Sequence, residues 1–321
     1  MKQIRTIDIR DIEGYRIGNA EYEDYATGCT VILADEKTVC GVDVRGGAPA
    51  SRENALLNPL AANDSVNAVV LSGGSAFGLD ASSGVMKYLE EKNIGFPTAF
   101  GPVPIVVSSC LFDLGLVSAK VRPDASLGMQ ACLNAENSDL LKEGSYGAGC
   151  GASVGKILGR DFSMKSGLGM YAVQLGSFKI GAVVAVNAAG DIYDERTGET
   201  LAGVYDAKED RFLNAVDCLY SLSVQPDLFN TNTTIGAIIT NGKFSKTGLT
   251  KIASMAHNGY ARAIRPVHTM FDGDSIYACG NGHVEIDLNT AGTLAADVMA
   301  EAIRRAAVNH GPSYGLPCKS E

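Results

Sequence analysis

The sequence predicts an α+β protein in which layers of β-sheet are sandwiched by helices, and three observations predict it. Strand-like and helix-like segments are intermixed along the chain rather than segregated, they are comparable in number, and several strands fall into hairpin-like pairs. At 321 residues the chain has the length of one large domain or two closely merged ones, enough to bury a sizeable core.

Taken in order, Gly28 to Ala34 and Thr38 to Val44 read as two β-runs around the polar turn Asp35-Glu36-Lys37, a predicted hairpin. Val66 to Leu71 is a continuous apolar run suited to a buried strand. It leads through Ser72-Gly73-Gly74-Ser75 into a helix in which Val85, Met86 and Leu89 recur at helical spacing up to Lys92. Leu168 to Leu175 and Lys179 to Val186 form a second predicted hairpin around Gly176-Ser177. The stretch 205–232 is charged at Asp206 to Arg211 and broken by Val224-Gln225-Pro226-Asp227, so it reads as an exposed linker. An apolar strand starting at Thr233 follows, then a helix from about Lys246 to Ile264. Strands at Ser275 to Cys279 and His283 to Ile286 precede a last helix, Ala291 to Val308, with Asn289 and Thr290 as candidate N-caps and Arg304 and Arg305 near its end.

Composition excludes several function classes. The net charge of −9 is spread along the chain, and no run of Lys and Arg offers a footprint for nucleic acid or an anionic membrane. The N-terminus lacks the apolar core of a signal peptide, and the longest apolar stretch, Ile180 to Gly190, is far short of the roughly 20 residues of a membrane helix. Eight cysteines without a CxxC pair read as reduced, mostly buried thiols, which suits a cytoplasmic protein and argues against structural zinc. The four histidines show no HxxxH or HExxH grouping, so no metal site is expected. His257 and His268 read as structural, and of these two His268 is expected nearer a site, because Asp272 is close in sequence.

The residues that point to chemistry are Asn232-Thr233 and Asp272-Gly273-Asp274. A threonine hydroxyl is a poor nucleophile at neutral pH, but a threonine at a chain terminus has its own α-amine as general base. Cleavage after Asn232 would create that terminus, and the pair of acids thirty-nine residues on could hold and polarise the amine. Spacing alone also fits an ordinary strand start and an Asp-Gly turn. The Ser72-Gly73-Gly74-Ser75 turn lacks the Lys-Ser/Thr ending of a phosphate loop, and Gly74-Ser75-Ala76-Phe77-Gly78 has the wrong spacing for a nucleophile elbow. Close strand-to-helix packing is its expected role.

Ordered blocks along nearly the whole chain resemble the self-processing N-terminal-nucleophile hydrolases that include L-aminopeptidase/D-esterase, the β-peptidyl aminopeptidases and the endo-type nylon-oligomer hydrolase. The blocks are Thr27 to Val31, Val44-Arg45-Gly46-Gly47-Ala48-Pro49, Leu71 to Leu79, Gly147-Ala148-Gly149-Cys150-Gly151, Ala185-Val186-Asn187, Asn232-Thr233-Thr234, and Met255 to Thr269 through Asp274. The resemblance implies a single four-layer αββα domain over 1–321, cut into 1–232 and 233–321 that stay in one fold. It implies Thr233 as nucleophile, Asp272 and Asp274 as the acidic pair, Asn187 as the group that polarises the scissile carbonyl, and Lys156, or alternatively Lys165, as the site lysine. The aminopeptidase branch carries Ser-Gly-Glu where this chain has Asp272-Gly273-Asp274, which resembles the nylon-oligomer branch more. The implied activity is hydrolysis of small peptide or peptide-like amides by a homo-oligomer, commonly a tetramer. An acyltransferase using the same acyl-enzyme, or a binding or assembly protein of this fold without turnover, are the alternatives.

Overall fold

Two mixed β-sheets lie face to face between two pairs of helices in the computed structural model, which describes residues 3–35, 37–222, 232–308 and 313–319. The larger sheet has six strands in the order Ile4–Ile7, Leu168–Leu175, Phe178–Asn187, Thr233–Gly242, Ser275–Val284 and Val39–Val44. Its pairings are antiparallel except between Thr233–Gly242 and Ser275–Val284, which run parallel. The smaller sheet runs Tyr15–Tyr22, Thr27–Ala34, Ala68–Ser72, Val106–Cys110, Ser51–Arg52.

Period-two alternation sorts the side chains between layers. On Thr233–Gly242, Ile235, Ala237 and Ile239 enter the core between the sheets, where they meet Ile32, Val69, Leu71 and Val107 of the smaller sheet. Ile238 points the other way, onto Leu249, Ile252, Ala256 and Tyr260 of helix Lys246–Ala263 and onto Leu294, Val298 and Met299 of helix Leu288–Val308. With both faces covered, all ten residues of this strand are buried, which is why it reads as an unbroken apolar run. The smaller sheet packs its outer face on helices Ala81–Glu91 and Ala125–Asn134 through Val31, Leu33, Val70, Val85, Leu89 and Ala131. The four layers are α, β, β, α, as the resemblance implies.

Those outer helices cross at two glycines: a Cβ on Gly84 would sit 1.8 Å from Ala125 O, and one on Gly128 1.9 Å from Ala81 O. Elsewhere in a helix alanine is better than glycine by up to about 1 kcal/mol. At this crossing overpacking of about 1–3 kcal/mol wins, so Gly84→Ala is expected to lower the urea midpoint of unfolding without changing its slope.

Several sequence expectations need correction. The predicted hairpin of Gly28 to Ala34 with Thr38 to Val44 is not one. Thr27–Ala34 pairs with Tyr15–Tyr22 and Ala68–Ser72, while Val39–Val44 crosses to the other sheet and pairs with Ser275–Val284. Ser275 to Cys279 and His283 to Ile286 are not separate strands, because Ser275–Val284 is continuous and its glycines accompany a register shift at Thr240/Gly242 rather than a turn. The last helix begins at Leu288, and Asp287, not Asn289 or Thr290, caps it by accepting the Thr290 N–H at 2.8 Å. The linker over 205–232 is structured in its first part: Tyr205–Asp206 pairs with Arg211–Phe212, and Asn214 caps a helix at Ala215–Ser221. The rest of that stretch up to 231 lies outside the described residues. The helix at Ala125–Asn134, capped by Asp124, was not expected. The hairpin of Leu168–Leu175 with Phe178–Asn187 and the helix Lys246–Ala263 stand where the sequence puts them.

Candidate active site

The sheet order brings the sequence-distant candidates together. Phe178–Asn187 runs antiparallel to Thr233–Gly242, so its last residue, Asn187, lies opposite the first, Thr233. Ser275–Val284 runs parallel on the other side, so the residues just before it, Asp272-Gly273-Asp274, reach the same end. A bridge between Asn232 and Asp272 closes the gap. The Arg45-Gly46-Gly47-Ala48 block holds the acidic loop from outside. Arg45 N and Gly46 N donate to Asp274 O at 3.0 and 3.2 Å, and Ala48 N to Asp272 O at 2.8 Å. A Cβ on Gly46 would lie 2.3 Å from Asp272 O, so only glycine allows this approach.

At the centre, the Thr233 hydroxyl donates to the carbonyl oxygen of Asn232, and the Gly273 N–H donates to that same oxygen at 2.9 Å. Gly273 went unrecognised in the sequence, where it reads as the middle of a turn. Its amide is the donor on the Asn232–Thr233 bond, and a Cβ there would come within 2.8 Å of Thr233 Oγ1. Asp274, 1 % exposed, accepts the Thr234 N–H at 2.7 Å on Oδ1. Asp272, also buried, accepts Thr269 N at 2.9 Å and Thr269 Oγ1 at 2.6 Å on Oδ2. Burial first and the neighbouring Asp274 charge second push the Asp272 carboxyl up to about 6.

Lys156 is the lysine that meets this cluster. Its ammonium donates to Asn187 Oδ1 at 2.7 Å and Asn187 O at 3.0 Å, and loss of water lowers it to about 7 against the opposing pull of Asp272 and Asp113. Ser153 N also donates to Asn187 Oδ1, at 3.1 Å. With that oxygen taken by two donors, the amide orientation is fixed: Asn187 Nδ2 donates one N–H to Phe112 O at 2.9 Å, and among the described residues no acceptor takes the other.

Lys165 lies fully buried elsewhere and donates to the carbonyls of Gly149 at 3.1 Å, Ala152 at 3.0 Å and Ser166. Burial lowers it from 10.5 to about 7. Between those values the unfolded chain holds a proton that the folded chain has released, so stability owed to this group rises with pH across the window. In urea unfolding, wild type is expected to gain on Lys165→Met from pH 7 towards 10; parallel curves would refute it.

A cavity of about 210 Å³ opens beside Asn232, walled by Phe112, Asp113, Gly151, Ser153 and Lys156. Asp113 carried no spacing signal in the sequence. Burial raises its carboxyl to about 6, and it accepts Thr27 Oγ1 and Gly74 N, each at 2.7 Å. The Ser72-Gly73-Gly74-Ser75 turn therefore holds a cavity wall as well as joining strand to helix. Of the histidines, His257 reaches Asp43 O at 3.1 Å, whereas His268 reaches Asp274. Among the described residues no helix is long and apolar enough to cross a membrane.

A buried hydroxyl, a carbonyl and an acid pair meet on this layered fold, and the chain is a hydrolase acting on peptide or amide bonds. The chain belongs to Peptidase family S58, whose match spans residues 8–312. An "uncharacterized aminopeptidase" of Mycobacterium tuberculosis is 37% identical over 340 residues, covering 96% of each chain. The 6-aminohexanoate-oligomer endohydrolase of Paenarthrobacter ureafaciens is 32% identical over 312 residues, 92% of this chain and 84% of that protein. In fold the chain is similar to a Burkholderia sp. beta-aminopeptidase, with a TM-score of 0.71 at 18% identity over 100% of this chain and 92% of the other. It is also similar to the L-aminopeptidase D-Ala-esterase/amidase of Ochrobactrum anthropi, with a TM-score of 0.67 at 18% identity over 97% and 88%, described as a variant of the Ntn hydrolase fold.

Proposed function

We propose that the chain is a self-processing amidohydrolase whose nucleophile is Thr233, freed by cleavage of the Asn232–Thr233 bond into parts 1–232 and 233–321 that remain in one fold. The observation that carries this reading is the Asn232 carbonyl oxygen, shared by the Thr233 hydroxyl and the Gly273 N–H. In self-cleavage Thr233 Oγ bonds to the Asn232 carbonyl carbon, the C–N bond breaks, and the hydroxyl proton passes to the departing nitrogen. Gly273 N–H holds the oxyanion. Water then hydrolyses the ester, giving the Asn232 carboxylate and a terminal Thr233 amine.

In the mature enzyme that amine, with a reference pKa of roughly 7.7 to 8.0, takes the hydroxyl proton as Thr233 attacks a substrate amide. Asp274 steadies the strand through Thr234, Asp272 supplies negative charge beside the new amine, and Asn187, oriented by Lys156, donates its second N–H to the oxyanion. The cavity beside Asn232 receives the acyl part of the substrate. Small peptides and peptide-like amides are the substrate class, in keeping with relatives named as an aminopeptidase and a 6-aminohexanoate-oligomer endohydrolase. No cofactor is called for, and the working form is a cytoplasmic homo-oligomer, a tetramer of processed protomers.

The test is the intact mass of the purified protein under denaturing conditions. Two fragments are expected, the smaller beginning Thr233-Thr234-Ile235. A single uncut chain after prolonged incubation would overturn the proposal.

A further inference from the structure

Asp274 is a carboxylate out of reach of water, and such a group persists only where donors hold it. Its two oxygens divide the work. Oδ1 takes the Thr234 N–H at 2.7 Å, while Oδ2 takes two donors from one residue, His268 N at 3.2 Å and His268 Nδ1 at 2.8 Å. The His268 backbone stands at φ +59, in the left-handed region that costs a residue with a Cβ roughly 1–2 kcal/mol. A surface loop has no reason to keep such a conformation unless something fixes it, and here backbone and ring close on one carboxylate oxygen.

The other side of the ring is shut off from polar partners. His268 Nε2 is buried without a hydrogen-bond partner among the described residues. The ring meets His257 edge-on at 4.7 Å and lies near-parallel to Tyr260 at 5.8 Å, both from helix Lys246–Ala263. Nδ1 faces an acceptor and Nε2 does not, so the hydrogen that makes the 2.8 Å contact belongs on Nδ1. The hydroxyl of Tyr260 itself turns to Thr234 O at 3.3 Å and Ser275 O at 3.4 Å. The aromatic trio thus backs the residue next to the nucleophile from both its N–H and its C=O side.

We infer that His268 is a positioning residue of the Thr233 centre: its Nδ1–H fixes the Asp274 carboxylate, which through Thr234 N–H sets where the Thr233 end of the strand lies. The inference rests on the reading of Thr233 as nucleophile. His268 makes no hydrogen bond to Asn232 or Thr233 and does not line the cavity, so its removal displaces the hydroxyl without changing the cavity wall. Misplacement of reacting groups by about 1 Å costs on the order of 10²-fold in rate.

Three chains test it: wild type, His268→Gly, which removes the ring and relieves the left-handed backbone, and His268→Asn, which keeps an N–H donor on a side chain that tolerates this φ. Self-cleavage is followed by denaturing mass, and turnover with a chromogenic aminoacyl anilide. His268→Gly is expected to cut slowly and lose about 10- to 100-fold in kcat with KM within about threefold, and His268→Asn to recover most of both. His268→Gly cutting and turning over like wild type would overturn the inference alone. His268→Asn no better than His268→Gly would also overturn it. A wild-type chain that never cuts would instead remove the reading beneath it.

Discussion

Thr233→Ala is expected to leave a single 33.5 kDa chain with no turnover, the largest effect of any one substitution in this protein. The hydroxyl removed is the atom group lying against the Asn232 carbonyl, so the bond that would free a terminal amine is never attacked. Both nucleophile and general base are lost together. Removing a nucleophile of this kind costs about 10⁴-fold or more in kcat, and here the missing amine adds to it. The fold should survive, because strand Thr233–Gly242 keeps its ladders to both neighbours and only the hydroxyl and one methyl at its first residue are lost. Denaturing mass spectrometry with a thermal melt checks both parts. Thr233→Ser, which retains the Oγ, should still cut. A Thr233→Ala chain that cuts at the same place would exclude Thr233 as the attacking group.

Much of the architecture was legible because period and propensity are local properties. The ten buried residues from Thr233 read as a strand since both their faces are apolar, and the Gly176-Ser177 turn announced its hairpin because a two-residue link leaves no other partner. Partner choice is not local. Val39–Val44 could be recognised as a strand, yet nothing in Asp35-Glu36-Lys37 says that the chain leaves one sheet for the other. The short helix Ala215–Ser221 was lost in a charged neighbourhood, its signal reduced to the Asn214 cap.

The site divides the same way. Asn187, Thr233, Asp272 and Asp274 were nameable as types, but their convergence depends on one antiparallel and one parallel pairing around a single strand. The resemblance preferred Lys156 and left Lys165 as the alternative. The fold turns one to Asn187 and the other to three backbone carbonyls. Gly273 and Asp113 were missed for different reasons: the first acts through its backbone, which every residue has, and the second through burial beside a cavity, which no spacing records.

Asn187→Ala is expected to lower kcat by about 10²- to 10³-fold, equivalent to about 2.7–4 kcal/mol of lost oxyanion stabilisation, with KM within about threefold. A competing explanation is damage to the site, because alanine would also strip Lys156 Nζ and Ser153 N of their shared acceptor. Asn187→Asp separates the two. It keeps an acceptor for both donors but exchanges the NH2, with its bond to Phe112 O, for a charged carboxylate oxygen, so a comparable fall in kcat at near-normal stability assigns the loss to the missing donor and the charge in its place rather than to stranded Lys156 and Ser153. A kcat within tenfold of wild type in both variants would exclude Asn187 from the oxyanion role. Self-cleavage should respond less than turnover, since the Asn232 carbonyl already has the Gly273 N–H at 2.9 Å as its own donor. Cleavage that persists in Asn187→Asp while turnover collapses would mean that this centre uses a backbone donor to make the enzyme and a side-chain donor to run it.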